Sequence, residues 1–247
     1  MKRIFAFLLA LMLLLCFSSC SGSDLASVKQ DGVLIVGVTE YEPMDYRDSD
    51  GNWAGFDAEL VRLTAEKLGV KAQFVIINWD EKVDKLKSKE IDCVWNGYTV
   101  NDVDKVSFSD AYAKNSSVLV VRTDKSESIK SIEDIEGLSV SYEKGSSSER
   151  IVNELKSDFD KAPVPLQKEA LYSVQKGEVD ACIVDKTIFD SLVHTDLIVV
   201  HTFESENFAV GFREGSDLVQ EINGILKELK ADGILASLAS KYKVELT

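Results

Sequence analysis

The residues able to do chemistry in this chain stand where apolar runs end. Tyr41 and Trp79 lie just beyond the strand-like runs VLIVGV and AQFVII, Asn96-Gly97 follows the run Ile91 to Trp95, and Asp185 closes the run ACIVD. Aromatic faces hold aliphatic, aromatic or cationic groups, although Tyr41 and Trp79 can equally be core residues. Asn96-Gly97 reads as a turn that leaves the backbone groups of Gly97 to Thr99 free at a strand's carboxyl end. That edge is where open α/β sheets bind ligands. Ser146 and Glu149 have the Ser-x-x-Glu spacing of a capping box and predict a helix start. Unpaired N–H groups and the helix dipole there favour a carboxylate, yet such a box is more often purely structural. Asp185, taken alone, reads as another helix cap.

Other chemistries are poorly served. His194 and His201 are the only histidines, and no cysteine or acidic cluster stands at metal-ligand spacing, so no metal and no cofactor is expected. No nucleophile paired with a base stands out either. Cys93 and Cys182 sit in apolar strand-like runs and read as small core residues rather than as a disulfide. The formal charge of −14 becomes −16 once Lys2 and Arg3 leave with the leader, which argues against nucleic acid as a partner.

The leader itself is legible. Lys2-Arg3 precede an apolar run from Ile4 to Leu15, shorter than the about 20 residues of a membrane span, and Phe17-Ser18-Ser19-Cys20 follows as small residues before a cysteine. This predicts an export signal over 1–19, a lipid-bearing Cys20 and a flexible tether over 20–28, with ordinary secretion as the alternative.

From Val33 onward short apolar runs alternate with amphipathic ones, the pattern of a parallel sheet flanked by helices. VLIVGV, AQFVII and IDCVW are the first strands, with a helix between Asp57 and Gly69 and another carrying Val83 and Leu86. LSVSY, PVPLQ and DACIVD form a second set, and FAVGF precedes amphipathic helices around Leu218 to Leu229 and Ile234 to Tyr242. KSKEIDCVWNG and QKGEVDACIVD echo one another. No Gly/Ser/Pro-rich linker separates the halves, so short crossing strands at 112–116 and 204–208 are expected to join lobe 1 (29–111 with 209–247) to lobe 2 (117–203).

The segments DGVLIVGV, TEYEPM, GNWAGFDAELVRLTAEKLG, WNGYT, FSDAY, IEDIEGLSVSYEKGSSSE, KGEVDACIVD and FAVGFREGSDL, in this order and spacing, resemble the bacterial extracellular solute-binding protein family 3, which serves polar amino-acid ABC importers. The resemblance implies an α/β, two-lobed periplasmic-binding-protein-like (type II) fold with the ligand cleft between the lobes. It implies a monomeric, extracytoplasmic lipoprotein whose partners are a small-molecule ligand, an importer permease and, through the lipid, a membrane. It also implies roles. Tyr41 and Trp79 sandwich the ligand side chain. Asn96, Gly97 and Thr99 belong to the segment whose glycine carbonyl receives the ammonium and whose threonine serves the carboxylate. Ser146 and Ser147 lie in the small-residue loop that meets the carboxylate, and Asp185 pairs with the α-ammonium.

One departure is specific. The family pattern G-x-T-x-T-x-x-R places a carboxylate-gripping arginine where this chain has Asp104, with about two residues fewer before Phe108. Either Lys105 substitutes, or the ligand lacks a free carboxylate, or the site is crippled. Glu40 and Asp185 would make a cation-selective pocket if the arginine is absent. Two other functions compete with capture for an importer: a sensor module for a membrane partner, and a cyclohexadienyl-dehydratase-like enzyme, for which Glu40 is the available acid.

Overall fold

The computed structural model describes residues 22–101 and 103–247; the predicted leader and Cys20 lie outside the described residues. The first element corrects the expected tether. Asp24–Asp31 form helix α1, capped by Ser23, whose hydroxyl accepts from the Ala26 N–H at 2.9 Å. Small polar residues that look like a linker here satisfy N–H groups orphaned at a helix start. The buried Asp24 pairs with Arg213 at 3.3 Å, and Arg213 reaches Asp92 at 3.4 Å, which docks the helix.

Strands β1 (Val33–Val38), β2 (Tyr46–Arg47) and β3 (Trp53–Ala54) lead to helix α2 (Phe56–Leu68), β4 (Lys71–Ile76), a 3-10 turn (Trp79–Glu81), α3 (Lys82–Lys87) and β5 (Cys93–Thr99). Helix α2 buries Phe56, Leu60, Val61, Ala65 and Leu68 on one face and stops at Gly69 in the left-handed conformation. Each fully buried Leu or Val of this kind contributes about 1.5–3 kcal/mol. β4, β1 and β5 run parallel, as the alternating pattern predicts.

Beyond β6 (Ser107–Phe108), the chain crosses on β7 (Ala113–Arg122) into β8 (Ser139–Glu143), α4 (Ser147–Glu154), β9 (Asp160–Val164), α5 (Gln167–Lys176), β10 (Ala181–Asp185) and α6 (Lys186–Ser191). It returns on β11 (Leu197–Phe212) to α7 (Leu218–Ala231), α8 (Ile234–Tyr242) and β12 (Glu245–Leu246). The sheet order is β4-β1-β5-β11-β7-β10-β8-β9. The sheet is therefore mixed rather than parallel: β8 pairs in parallel with β9 and β10, but β7 and β11 run antiparallel to each other and to their neighbours β10 and β5. β11 is also longer than the predicted FAVGF, because its polar centre, Glu204-Ser205-Glu206-Asn207, breaks the apolar pattern while the backbone of 205–208 stays paired with residues 113–116. Two wings of sheet joined by two crossing strands make the two-lobed α/β architecture.

Alternation along β7 sends Leu119 and Val121 into a core with Val140, Val152 and Ile183, and Val118 and Val120 into the larger core with Leu171 and Val174. Cys93 and Cys182 are free, buried thiols in these cores. Among the described residues no helix is long and apolar enough to cross a membrane.

Candidate ligand-binding site

Every parallel strand ends at the same cleft. The loop after β1 brings Thr39, Glu40 and Tyr41; the loop after β4 brings Trp79; β5 brings Asn96 to Thr99; β8 brings Glu143; α4 begins with Ser147; and β10 ends on Asp185. All of them line one cavity. This is the carboxyl-edge placement expected of an open α/β sheet, and all eight predicted side-chain positions, Tyr41, Trp79, Asn96, Gly97, Thr99, Ser146, Ser147 and Asp185, meet there.

Their local duties differ from expectation in three cases. Asn96-Gly97 is not a turn. β5 continues to Thr99 against β11 through a register shift between Ala209 and Gly211, and Gly97 takes φ 58 within it. The Gly97 N–H is not free but donates to Asp57 Oδ2 at 2.7 Å. The Asn96 side chain is fully occupied in the lobe: Oδ1 accepts from the Thr39 N–H and hydroxyl, and Nδ2 donates to Asp45 Oδ2 at 2.7 Å. Ser146 caps α4 and donates to the Glu143 carbonyl at 2.7 Å, while Glu149 reaches back to the Gly145 N–H at 2.8 Å. Because Glu149 reaches Gly145 rather than the Ser146 N–H, the predicted capping box forms only in its Ser146 half; the two bonds hold the loop and leave Ser147 on the cavity wall, its hydroxyl 3.5 Å from that of Ser117.

Asp185 stands at the N-cap position of α6 but makes no capping bond with its side chain. Its Oδ2 accepts from the Tyr41 hydroxyl at 2.9 Å and from Gln167 Nε2 at 2.7 Å, and its Oδ1 from Asn115 Nδ2 at 2.8 Å. Burial pushes its acid up against these three donors. Glu143, buried beside it, is pushed well up by burial first and by Asp185 second. Two adjacent carboxylates out of water are costly unless a cation joins them.

Sequence reasoning missed Glu143, Gln167, Arg150, Lys82 and Glu206. Glu143 ends β8 and Gln167 follows β9 at the same sheet edge, a positional signal that was there to be used. Arg150, one residue beyond the capping box, lines the cavity. Lys105, the proposed stand-in for the absent arginine, is exposed and does not line it. Asp104 accepts from the Tyr98 hydroxyl and from Asn101 Nδ2, so it holds its own loop. Glu40 pairs with Lys168 across the lobes and is partly exposed.

The lobes stand closed. Lys82 Nζ donates to the Gly145 carbonyl at 2.8 Å, Lys144 pairs with Asp80 at 2.7 Å, and the Ser191 hydroxyl meets the Glu42 carbonyl at 3.0 Å. A Cβ on Gly145 would lie 2.7 Å from the Asp80 Cα, so this approach requires glycine. What stays open between the lobes is a cavity of about 20 Å³.

Residues 34–245 match the model of the bacterial extracellular solute-binding proteins, family 3. The chain belongs to this family. The L-cystine-binding protein TcyA of Bacillus subtilis is 32% identical over 226 residues, covering 88% of this chain and 83% of TcyA. Among solved structures, a mutant of ArgBP from T. maritima superposes with a TM-score of 0.84 at 29% identity, covering 89% of this chain and 98% of that one. An ancestral amino acid-binding protein, AncCDT-1, described as a precursor of cyclohexadienyl dehydratase, superposes with a TM-score of 0.82 at 29% identity, covering 90% of this chain and 99% of that one. The protein is accordingly an extracellular solute-binding protein of two-lobed fold, the identity that the sequence motifs predicted.

Proposed function

We propose that the chain captures a small amino acid or related amine outside the cytoplasmic membrane and hands it to an ABC importer, held at the membrane by a lipid on Cys20. The observation that carries this reading is the convergence of Tyr41, Trp79, Thr99, Ser147 and Asp185 from both lobes on one cavity. Relatives named for cystine, arginine and histidine binding support a small nitrogenous ligand. A cavity of about 20 Å³ holds little more than a water molecule, so a ligand enters only when the lobes part. It then favours closure through contacts the open form cannot make. Residues 112–116 and 204–208, within which 113–116 of β7 pair with 205–208 of β11, are the hinge in this reading, with residues 29–111 and 209–247 moving against 117–203 as one monomer.

Binding rather than catalysis fits the groups present. Glu40, the acid available for dehydratase chemistry, is tied to Lys168, and a general acid must reach the leaving group. Thermal-shift screening of refolded protein against amino acids, amines and prephenate tests the reading. A melting temperature that rises with ligand concentration supports capture; turnover of prephenate would replace it with an enzyme, and no shift with any compound would end it.

A further inference from the structure

The cleft contains an anion receptor that the chain fills itself. Three hydroxyls converge from three elements: Thr99 at the end of β5, Ser117 on β7 and Ser147 at the first position of α4. The carboxylate of Glu206, on the crossing strand β11, lies among them. The Thr99 hydroxyl donates to Oε2 at 2.8 Å, Ser117 lies 3.5 Å from Oε1, and the Ser147 hydroxyl lies 3.5 Å from that of Ser117. Arg150, one turn into α4 on the cavity wall, is close enough for its charge to act on Glu206 and Asp185. Hydroxyls, a helix amino terminus and a guanidinium are the donors that would receive an incoming carboxylate.

With Glu206 among them, the Thr99 hydroxyl is committed and the Ser117 hydroxyl faces the same carboxylate at 3.5 Å, while Arg150 contributes its charge without a direct bond. A ligand carboxylate placed nearby would face Glu206 directly and would share the cleft with Asp185 and Glu143. Like charges at such range disfavour one another strongly where water is excluded. Apart from the Arg150 guanidinium, what the cleft leaves unsatisfied is negative. Asp185 has acceptor capacity left on Oδ1, which takes only the Asn115 bond. Glu143 is buried next to it. Tyr41 and Trp79 supply aromatic faces suited to a cation.

We propose that Glu206 occupies the carboxylate position of the cleft, so that the protein selects an amine or guanidine lacking an α-carboxylate over the corresponding amino acid. The inference rests on the capture role proposed above and narrows its ligand class. Asp185 and Glu143 then receive the ammonium or guanidinium, and Arg150 balances Glu206 rather than gripping the ligand. On this account the aspartate at position 104 and the carboxylate at position 206 are two halves of one change, one removing a cation that serves an incoming carboxylate and the other supplying the carboxylate from within.

The test is calorimetric and thermal-shift titration of the refolded, ligand-stripped protein with matched pairs: agmatine and arginine, histamine and histidine, cystamine and cystine. At least one amine should bind tenfold or more tightly than its amino acid. In Glu206→Gln and Glu206→Ala the preference should narrow or invert, because the hydroxyls and Arg150 become available to the ligand carboxylate. Wild-type protein that binds the amino acid of every responsive pair as tightly as its amine overturns the inference and leaves the capture role standing. So does an unchanged preference in a folded Glu206→Gln protein. Binding of no compound in any pair removes the capture role and this inference together.

Discussion

The Lys82 ammonium donates to the backbone carbonyl of Gly145, 2.8 Å away, across the cleft. Lys82 is almost fully buried, its Nζ lies 4.9 Å from the centre of the Trp79 ring, and it also reaches the Trp79 carbonyl at 3.3 Å. Burial lowers its pKa, against the pull of Asp104 and Glu143. The bond to Gly145 exists only when the lobes are shut, so it biases the closed state without touching the ligand. Replacing Lys82 by Met keeps the stem and removes the donor. A hydrogen bond from a charged group is worth about 1.5–3 kcal/mol, so ligand affinity should fall about ten- to hundredfold, and small-angle scattering of the ligand-free protein should show a larger radius of gyration. Unchanged scattering and affinity would mean the contact does not couple to closure.

Gly97 is fixed by two demands. Its φ of 58 is a conformation that L side chains rarely adopt, and a Cβ there would lie 2.5 Å from Cε1 of Tyr41. Tyr41 is the ring that bonds Asp185 across the cleft. Gly97→Ala should therefore cost about 1–3 kcal/mol of stability from backbone strain, read as a lower urea midpoint, and should also displace Tyr41 and weaken ligand binding. A variant with full stability and affinity would show that the bulge relaxes freely.

Asp57 and Asp45 form a fully buried acid pair beneath β5. Asp57 Oδ2 accepts from the Gly97 N–H and from the Tyr112 hydroxyl at 2.9 Å, while Oδ1 of each aspartate is buried without a hydrogen-bond partner. Burial pushes Asp57 up to about 7, and burial with the nearby Asp57 charge pushes Asp45 well up. A folded-state pKa above the unfolded value of 3.8 means the native state holds a proton that the unfolded chain has released. Stability from the Asp57 proton is thus full at low pH and declines as pH rises through the interval from 3.8 to about 7, with a slope of up to about 1.4 kcal/mol per pH unit, and Asp45, also pushed up, adds to the decline. Asp57→Asn keeps an acceptor for Gly97 and Tyr112 and removes the repulsion. It should flatten the fall in urea midpoint between pH 5 and pH 7.5; equal falls in variant and wild type would place the proton elsewhere.

Much of this was legible in the chain. The run VLIVGV leads to Tyr41 and the run ACIVD ends on Asp185 because a parallel strand buried on both faces reads as a continuous apolar block whose boundary marks the sheet edge. The helix stop at Gly69 was equally plain. The illegible parts depend on partners distant in sequence. Asn96-Gly97 has the composition of a turn, and only pairing with Phe208 to Phe212 makes it a bulged strand. Ser23 and Asp24 look like linker until Arg213 supplies a counter-charge. Glu206 lies in a polar run whose proximity to Thr99, 107 residues away, is set by the crossing strands. Asn96 and Ser146 line the cleft, but types that bind ligands also cap and brace, and sequence does not tell which side chain is already engaged.

Asp185 offers the sharpest separation of binding from folding. Its Oδ2 takes the Tyr41 and Gln167 bonds, and Oδ1 faces Asn115 Nδ2. Asn115 cannot turn over to accommodate a change, because its Oδ1 accepts from the Thr187 hydroxyl at 2.8 Å. In Asp185→Asn the carbonyl oxygen can keep Tyr41 and Gln167, but the amide then meets the Asn115 amide donor to donor, an unmade bond costing about 1–3 kcal/mol. Removing a buried charge that makes no direct ion pair among the described residues offsets part of that loss, so the ligand-free urea midpoint should move little. The ligand cation, however, loses its charged partner. Affinity for whichever amine or amino acid binds wild type should drop about ten- to hundredfold, the range for a hydrogen bond to a charged group. Tyr41→Phe removes one neutral donor and should cost less. If Asp185→Asn binds as tightly as wild type, the ammonium is received elsewhere, and Glu143 becomes the residue to replace next.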